Sequence, residues 1–79
     1  MEHTVTVYSA PTCSWCQIAK DHLNSSGISF EDVDVSMDMS RAKEMVEKSG
    51  QRGVPVIDID GEIVIGFDRA RIDALLGIQ

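Results

Sequence analysis

The sequence contains few of the residues from which metal sites and nucleic-acid-binding surfaces are built. Among 79 residues there are two cysteines and two histidines, and seven lysines and arginines stand against 13 acidic residues. A structural zinc site takes four ligands, so it would have to recruit His3 and His22, which do not form the close pair of a zinc motif. The net charge of −6 argues against binding to nucleic acid or to anionic membranes.

Long hydrophobic runs are also missing. No apolar stretch approaches the roughly 18 residues that a membrane-spanning helix needs, and no secretory signal pattern is present. The 79 residues are enough for one small hydrophobic core. We therefore expect a single domain over residues 1–79 that is monomeric and works in the reducing cytoplasm, where free thiols persist.

The stretch Cys13-Ser14-Trp15-Cys16 is the most informative feature of the chain. It contains both cysteines, follows an apolar strand pattern and opens a helical one. The unpaired N–H groups and the dipole of a helix N-terminus favour a thiolate, which is the species that attacks disulfides. A structural disulfide would close a loop of about four residues and contribute no more than about 2 kcal/mol. The spacing therefore favours redox chemistry, with a structural disulfide and a zinc site as the alternatives.

Hydrophobic periodicity predicts seven elements in the order β-α-β-α-β-β-α. The strands are expected at residues 4–8, 28–35, 54–59 and 62–65, with a bulge or an early end in the second, where the alternation slips. The first helix is expected at 14–25, the second begins near Asp38 and ends at Gly50, and the third lies between Asp68 and Gly77. The apolar helix faces are predicted to be Ile18, Ala19 and Leu23; Met39, Ala42, Met45 and Val46; and Ile72, Leu75 and Leu76.

This order of elements determines the architecture. The first β-α-β unit requires a parallel strand pair with a right-handed crossover, whereas Asp60-Gly61 is a two-residue turn that requires an antiparallel pair. The fold class is therefore α/β, a four-stranded mixed sheet covered by three helices. Such a sheet carries its site beyond the carboxyl end of the first strand, where Cys13 lies.

Three separated motifs resemble the glutaredoxin family, which has the thioredoxin fold. They are Thr12-Cys13-Ser14-Trp15-Cys16, Gly53-Val54-Pro55-Val56 and Gly66-Phe67-Asp68. Together, in this order, they are specific, and the resemblance spans nearly the whole chain. It implies a thiol–disulfide oxidoreductase that reduces protein disulfides or glutathione mixed disulfides, with glutathione as reductant or co-substrate and no bound metal.

The resemblance also implies roles for individual residues. Cys13 would be the nucleophile and Cys16 the resolving thiol. Pro55 would be cis and would turn the backbone of Val54 towards an extended substrate. The remaining implied substrate-binding residues are Trp15, as a wall of the groove, and Gly66, Phe67 and Asp68, which would hold the γ-glutamyl end of glutathione.

The chain departs from the family pattern in ways that leave two further functions open. Many glutaredoxins have Pro where this chain has Ser14, and many have a Lys shortly before the motif, where this chain has Ser9-Ala10-Pro11. One alternative is a glutathione-assisted carrier of a [2Fe–2S] cluster. The other is a redoxin that thioredoxin reductase reduces and that supplies ribonucleotide reductase. Lys20 is expected to be a solvated helix residue, and His3 and His22 are assigned no role.

Overall fold

The computed structural model describes residues 3–78, which form four strands and three helices in the predicted order. None of these described helices is long and apolar enough to cross a membrane. The elements are β1 (Val5–Ser9), α1 (Ser14–Ser25), β2 (Glu31–Asp34), α2 (Met39–Ser49), β3 (Val56–Ile59), β4 (Glu62–Ile65) and α3 (Arg69–Leu76).

The four strands form one mixed sheet in the order β2-β1-β3-β4, which confirms the predicted fold class. β1 pairs parallel with β2, as the crossover through α1 requires, and antiparallel with β3. β3 and β4 form an antiparallel hairpin around Asp60 and Gly61, whose φ angles are 53° and 92°. Two successive positive φ angles are typical of the hairpin turn that matches the strand twist. β1 is thus paired on both sides, and it ends four residues before Cys13.

Both faces of the sheet are buried under helices. On one face, β1, β3 and β4 pack against α1 and α3 in a cluster of Val5, Val7, Ala19, Leu23, Ile57, Ile59, Val64, Ile72 and Leu76. On the other face, Tyr8, Val33 and Val56 pack against Met45 of α2. The first cluster is the larger one, so the α1 side carries most of the apolar burial that stabilises the domain.

The two buried faces explain the irregular pattern of the second strand. β2 begins at Glu31 rather than at residue 28, and no bulge is needed. Ile28 and Phe30 pack against the α1 and α3 cluster, whereas Val33 and Val35 belong to the α2 side. The change of alternation therefore marks a segment that buries both faces. Of the two expected explanations, the bulge is absent, because the register with β1 is continuous from Glu31 to Asp34, and the strand ends at Asp34, one residue before the expected end.

Two residues predicted on buried helix faces are exposed. Ile18 is 43% exposed and Met39 is 88% exposed. In α1 the buried stripe is Cys16, Ala19 and Leu23, and Ile18 lies about 100° around the helix from Ala19. Met39 is the first residue of α2, one turn and a half before the buried Met45. The helical period alone did not show which neighbouring positions would face the sheet.

We predict that Ile57→Ala lowers the free energy of unfolding by about 3 kcal/mol, because the fully buried side chain of β3 would leave a cavity. Urea unfolding followed by circular dichroism measures this change. Ile65→Ala on β4 is the matched control, since Ile65 is 52% exposed and should change the free energy by less than about 1 kcal/mol. Equal destabilisation by the two variants would contradict the assignment of the core.

Candidate active site

Cys13 occupies the N-cap position of α1, at the carboxyl edge of the sheet. Its backbone is extended, and its Sγ accepts a hydrogen bond from the N–H of Cys16 at 3.1 Å. The Cys13 N–H donates to the carbonyl of Ala10 at 3.1 Å, which closes the turn that follows β1. The sulfur of Cys13 therefore lies against the unpaired N–H groups of a helix N-terminus, where a negative charge is stabilised.

Cys16 lies one helical turn further on, in a very different environment. It is 1% exposed, and burial raises the pKa of its thiol to about 11, assisted by the hydrogen bond with Cys13 and by the charge of Cys13. A hydrogen bond with the Ala10 backbone and the charge of Lys20 act in the opposite direction on this pKa. One sulfur is thus half-exposed at a helix terminus, and the other is buried and keeps its proton.

Lys20 is not the solvated residue that the sequence suggested. Its side chain is only 19% exposed, and its Nζ forms an ion pair with Asp32 of β2 at 3.0 Å. The other Asp32 oxygen accepts a hydrogen bond from the Ser9 hydroxyl at 2.8 Å. This cation is held one turn beyond Cys16, where its charge favours the thiolate form of that cysteine.

An open groove of about 250 Å³ lies beside Cys13. Five residues from three separate parts of the chain line it, namely Trp15, Val54, Pro55, Gly66 and Phe67. All five are among the substrate-binding residues that the resemblance implied. The structure therefore brings these residues together, although their separation in the sequence is as large as 52 positions, from 15 to 67.

The loop before β3 forms the floor of this groove. The Val54–Pro55 peptide bond is cis, as the family resemblance led us to expect. The Val54 carbonyl is 3.8 Å from the Cys13 sulfur, and the Val54 N–H makes no hydrogen bond to any residue in the described range. Gly66, with φ of 76°, donates its N–H to the Pro55 carbonyl at 2.9 Å. The backbone of Val54 is thus placed beside the cysteine with a free donor.

Asp68 is separate from the other implied binding residues. It is the N-cap of α3, and its Oδ1 accepts a hydrogen bond from the Arg71 N–H at 3.2 Å. It does not line the groove beside Cys13. Its observed contact is structural, because it satisfies a donor of the first turn of α3, and its binding of a ligand stays a prediction.

Sequence reasoning missed a pair of residues behind the groove. His22 Nε2 lies 2.6 Å from Asp73 Oδ1, and both side chains are largely buried. The His22 ring meets Phe67 edge-on at 5.7 Å, and Phe67 in turn lies 6.3 Å from the exposed Trp15. His22 and Asp73 belong to different helices and are 51 positions apart, so no local spacing could have revealed the pair.

A mixed four-stranded sheet with a CxxC pair at the start of its first helix defines the thiol–disulfide oxidoreductases of the thioredoxin-fold class. Within that class, the chain belongs to the glutaredoxin family, because the model of that family matches residues 5–64. The comparisons establish the family and the redox-active cysteine pair, and the choice of substrate is a separate question.

Known relatives place the chain among small members of this family. It is 50% identical over 72 residues to a glutaredoxin-like 8.6 kDa protein from the rubredoxin operon of Clostridium pasteurianum, covering 91% of this chain and 96% of that protein. The structure of methanoredoxin from Methanosarcina acetivorans superposes with a TM-score of 0.87 at 25% identity, covering 95% of this chain and 85% of that one. The NrdH-redoxin of Escherichia coli gives a TM-score of 0.78 at 26% identity, covering 91% and 93%.

We predict that the buried Cys16 resists alkylation until the pH is well above the range of an ordinary thiol. In a Cys13→Ser variant, burial of Cys16 remains, so its pKa stays raised and iodoacetamide should react slowly at pH 8. Its rate should keep increasing with pH beyond the point at which an ordinary thiol, with a pKa of about 8.5, has reached its plateau. The pH dependence of the rate, followed by mass spectrometry, measures this.

The same experiment tests the effect of the Lys20 charge on the pKa of Cys16. Adding Lys20→Gln to the Cys13→Ser background removes a positive charge that lowers the Cys16 pKa. The alkylation profile should therefore move to higher pH, and Lys20→Arg should leave it in place. Rapid alkylation of Cys16 at neutral pH, or no shift with Lys20→Gln, would contradict this account.

Proposed function

We propose that the chain is a dithiol oxidoreductase that reduces protein disulfides and glutathione mixed disulfides in the cytoplasm. The observation that carries this proposal is the difference between the two cysteines. Cys13 is half-exposed and accepts the Cys16 N–H, whereas Cys16 is buried with a raised pKa. An attacking sulfur needs access and a stabilised negative charge, and a resolving sulfur needs to stay protonated until the first bond has formed.

In the first step, the Cys13 thiolate attacks one sulfur of the substrate disulfide. A bond forms between Cys13 Sγ and that sulfur, and the other substrate sulfur leaves as a thiolate that takes a proton from water. The N–H group of Cys16, 3.1 Å from Cys13 Sγ, stabilises the negative charge before the attack. The product of this step is a mixed disulfide between Cys13 and the substrate.

In the second step, Cys16 loses its proton to water and its thiolate attacks Cys13 Sγ. The bond between Cys13 Sγ and the substrate sulfur breaks, and that sulfur leaves as a thiolate that takes up a proton. The hydrogen bond and the charge of Cys13 both raise the Cys16 pKa, and the charge disappears when Cys13 becomes part of the mixed disulfide. The charge of Lys20, which lowers the Cys16 pKa, remains in place. Cys16 therefore becomes more acidic at the stage when it must lose its proton. The Cys13–Cys16 disulfide forms, and two electrons have passed to the substrate.

The groove supports binding of an extended segment beside Cys13. The free N–H of Val54 can pair with a substrate carbonyl in the manner of an added strand. The exposed ring of Trp15 and the partly buried ring of Phe67 offer apolar area. Glutathione, a short extended peptide, fits this description, and so does the backbone on either side of a protein disulfide.

We predict that the two cysteines differ in their substrate requirements. Cys13→Ser should abolish reduction of every disulfide, because no other thiol lies at the helix N-terminus. Cys16→Ser should retain activity on a glutathionylated peptide when glutathione is present, and lose at least about 90% of its activity on a protein disulfide, since only the latter needs an internal resolving thiol. Insulin reduction and release of glutathione from the peptide are the two assays. Equal loss on both substrates in both variants would refute the assigned roles.

A second candidate is a redoxin that receives its electrons from thioredoxin reductase. Two observations favour it over a purely glutathione-dependent enzyme. No Lys stands near position 10 to attract a glutathione carboxylate, and Asp68 is occupied as a helix cap outside the groove. The NrdH-redoxin of Escherichia coli, which resembles this chain, is described as a glutaredoxin-like protein with a thioredoxin-like activity profile.

A coupled NADPH assay distinguishes the two electron donors. With insulin as substrate, we expect thioredoxin reductase to support faster turnover than glutathione with glutathione reductase. Ala10→Lys should raise the glutathione-dependent rate about two- to five-fold, because a cation beside the groove can pair with a carboxylate. Ala10→Gln is the matched control for side-chain length. If glutathione is already the better donor in the wild type, the second candidate is wrong.

A further inference from the structure

A second groove lies on the opposite face of the sheet, where α2 meets the segment that follows β2. We call it the α2 groove. Its volume is about 480 Å³, nearly twice that of the groove beside Cys13. Its walls are apolar and consist of Val35, Met39, Ala42, Met45 and Val46. The reaction described above makes no use of this surface.

Two cations complete the lining of the α2 groove, and they are unlike the other cations of the chain. Lys43 and Arg52 are exposed and form no ion pair with any residue between 3 and 78. The other five lysines and arginines each pair with a carboxylate, and these are Lys20, Arg41, Lys48, Arg69 and Arg71. In a protein with a net charge of −6, the positive charges without a described partner are thus concentrated at one apolar groove.

One exposed methionine lines this groove, and a second precedes it closely in the chain. Met39 is 88% exposed and Met37, two residues earlier, is 83% exposed. Methionine is flexible and polarizable, so it packs against varied apolar partners. Exposed apolar side chains beside cations suit a polypeptide that carries both apolar and acidic residues.

The α2 groove adjoins the segments that carry the active site. The N–H of Val35 donates to the carbonyl of Ser9 at 2.9 Å, four residues before Cys13. On the other side, only Gly53 separates Arg52 from Val54. A substrate segment that pairs with Val54 can therefore continue past Arg52 on to the α2 groove.

We propose that the α2 groove docks an acidic, apolar segment of the protein whose disulfide Cys13 attacks. The inference rests on the proposed function, and it adds the class of partner that this function would prefer. Charge complementarity selects this occupant, because Lys43 and Arg52 have no carboxylate partner in the described part of the chain. A second copy of the chain is a poorer occupant, since two molecules with a net charge of −6 repel each other.

Two synthetic peptides test the proposal. Each contains one internal disulfide flanked by leucine, and they differ only in that two glutamates of the first are glutamines in the second. Single-turnover reduction by the reduced protein gives a rate for each peptide without any electron donor. The wild type should reduce the glutamate peptide about five-fold faster, a ratio expected for two exposed ion pairs. The ratio should fall towards one in 0.5 M salt, because screening weakens exposed pairs.

The variant Lys43→Gln/Arg52→Gln should lower this ratio to about one and leave the rate on the glutamine peptide unchanged. Arg69→Gln/Arg71→Gln removes the same charge from α3 and is the matched control, which should keep the five-fold ratio. A ratio of one in the wild type would overturn the proposal. So would a ratio that survives Lys43→Gln/Arg52→Gln, or one that the control variant lowers equally.

Binding measurements separate failure of docking from failure of the chemistry. Fluorescence anisotropy of the labelled peptides with the Cys13→Ser variant, with and without Lys43→Gln/Arg52→Gln, should give the same five-fold ratio of dissociation constants. If neither peptide is reduced but this ratio holds, the proposed function fails and the docking surface stands. A dimer that Lys43→Gln/Arg52→Gln disrupts, or an effect of these substitutions on glutathione alone, would assign the groove to another occupant and overturn the proposal.

Discussion

The hydrogen bond from the Cys16 N–H to the Cys13 sulfur is the interaction on which the site depends. It forms because β1 ends four residues before Cys13 and because the Ala10 carbonyl accepts the Cys13 N–H. β1 is paired on both edges and buried on both faces, so this starting point is rigid. The same placement brings the Val54 carbonyl to 3.8 Å from the sulfur. Cys13 and the backbone of Val54 are thus positioned by a strand at the centre of the sheet.

The helices on the two faces of the sheet are attached by different kinds of interaction. The α1 and α3 face has the larger apolar cluster. The α2 face has a small cluster and a polar network in which Tyr8 donates to Glu44 and Lys48 Nζ lies 2.8 Å from Asp58. The hydrogen bond from Tyr8 lowers the pKa of Glu44, and the one to Asp58 raises the pKa of Lys48. Because hydrogen bonds orient α2, its apolar side chains need not all be buried, and part of its face stays open.

The sequence predicted the order of elements and the mixed sheet, because residues typical of turns and helix ends stand at the element boundaries. Asp60-Gly61 forms the expected turn, and Gly50 and Gly77 end their helices with left-handed backbone. The cysteine motif and the lining of the groove could also be inferred, since the family motifs place them. Local periodicity failed where neighbouring positions compete for burial, as at Ile18 and Met39. It also gave no information on pairs formed by folding alone, such as Lys20 with Asp32 and His22 with Asp73.

The position of Trp15 has a consequence for following the reaction. It is the only tryptophan of the chain, it is 59% exposed, and it lies between the two cysteines in sequence and against Phe67 in space. Indole emission therefore comes from a single site at the reactive edge. Formation of the Cys13–Cys16 bond and arrival of a substrate both change the surroundings of this indole. The protein carries its own optical reporter of electron transfer, and stopped-flow fluorescence can follow each half of the cycle without an added label.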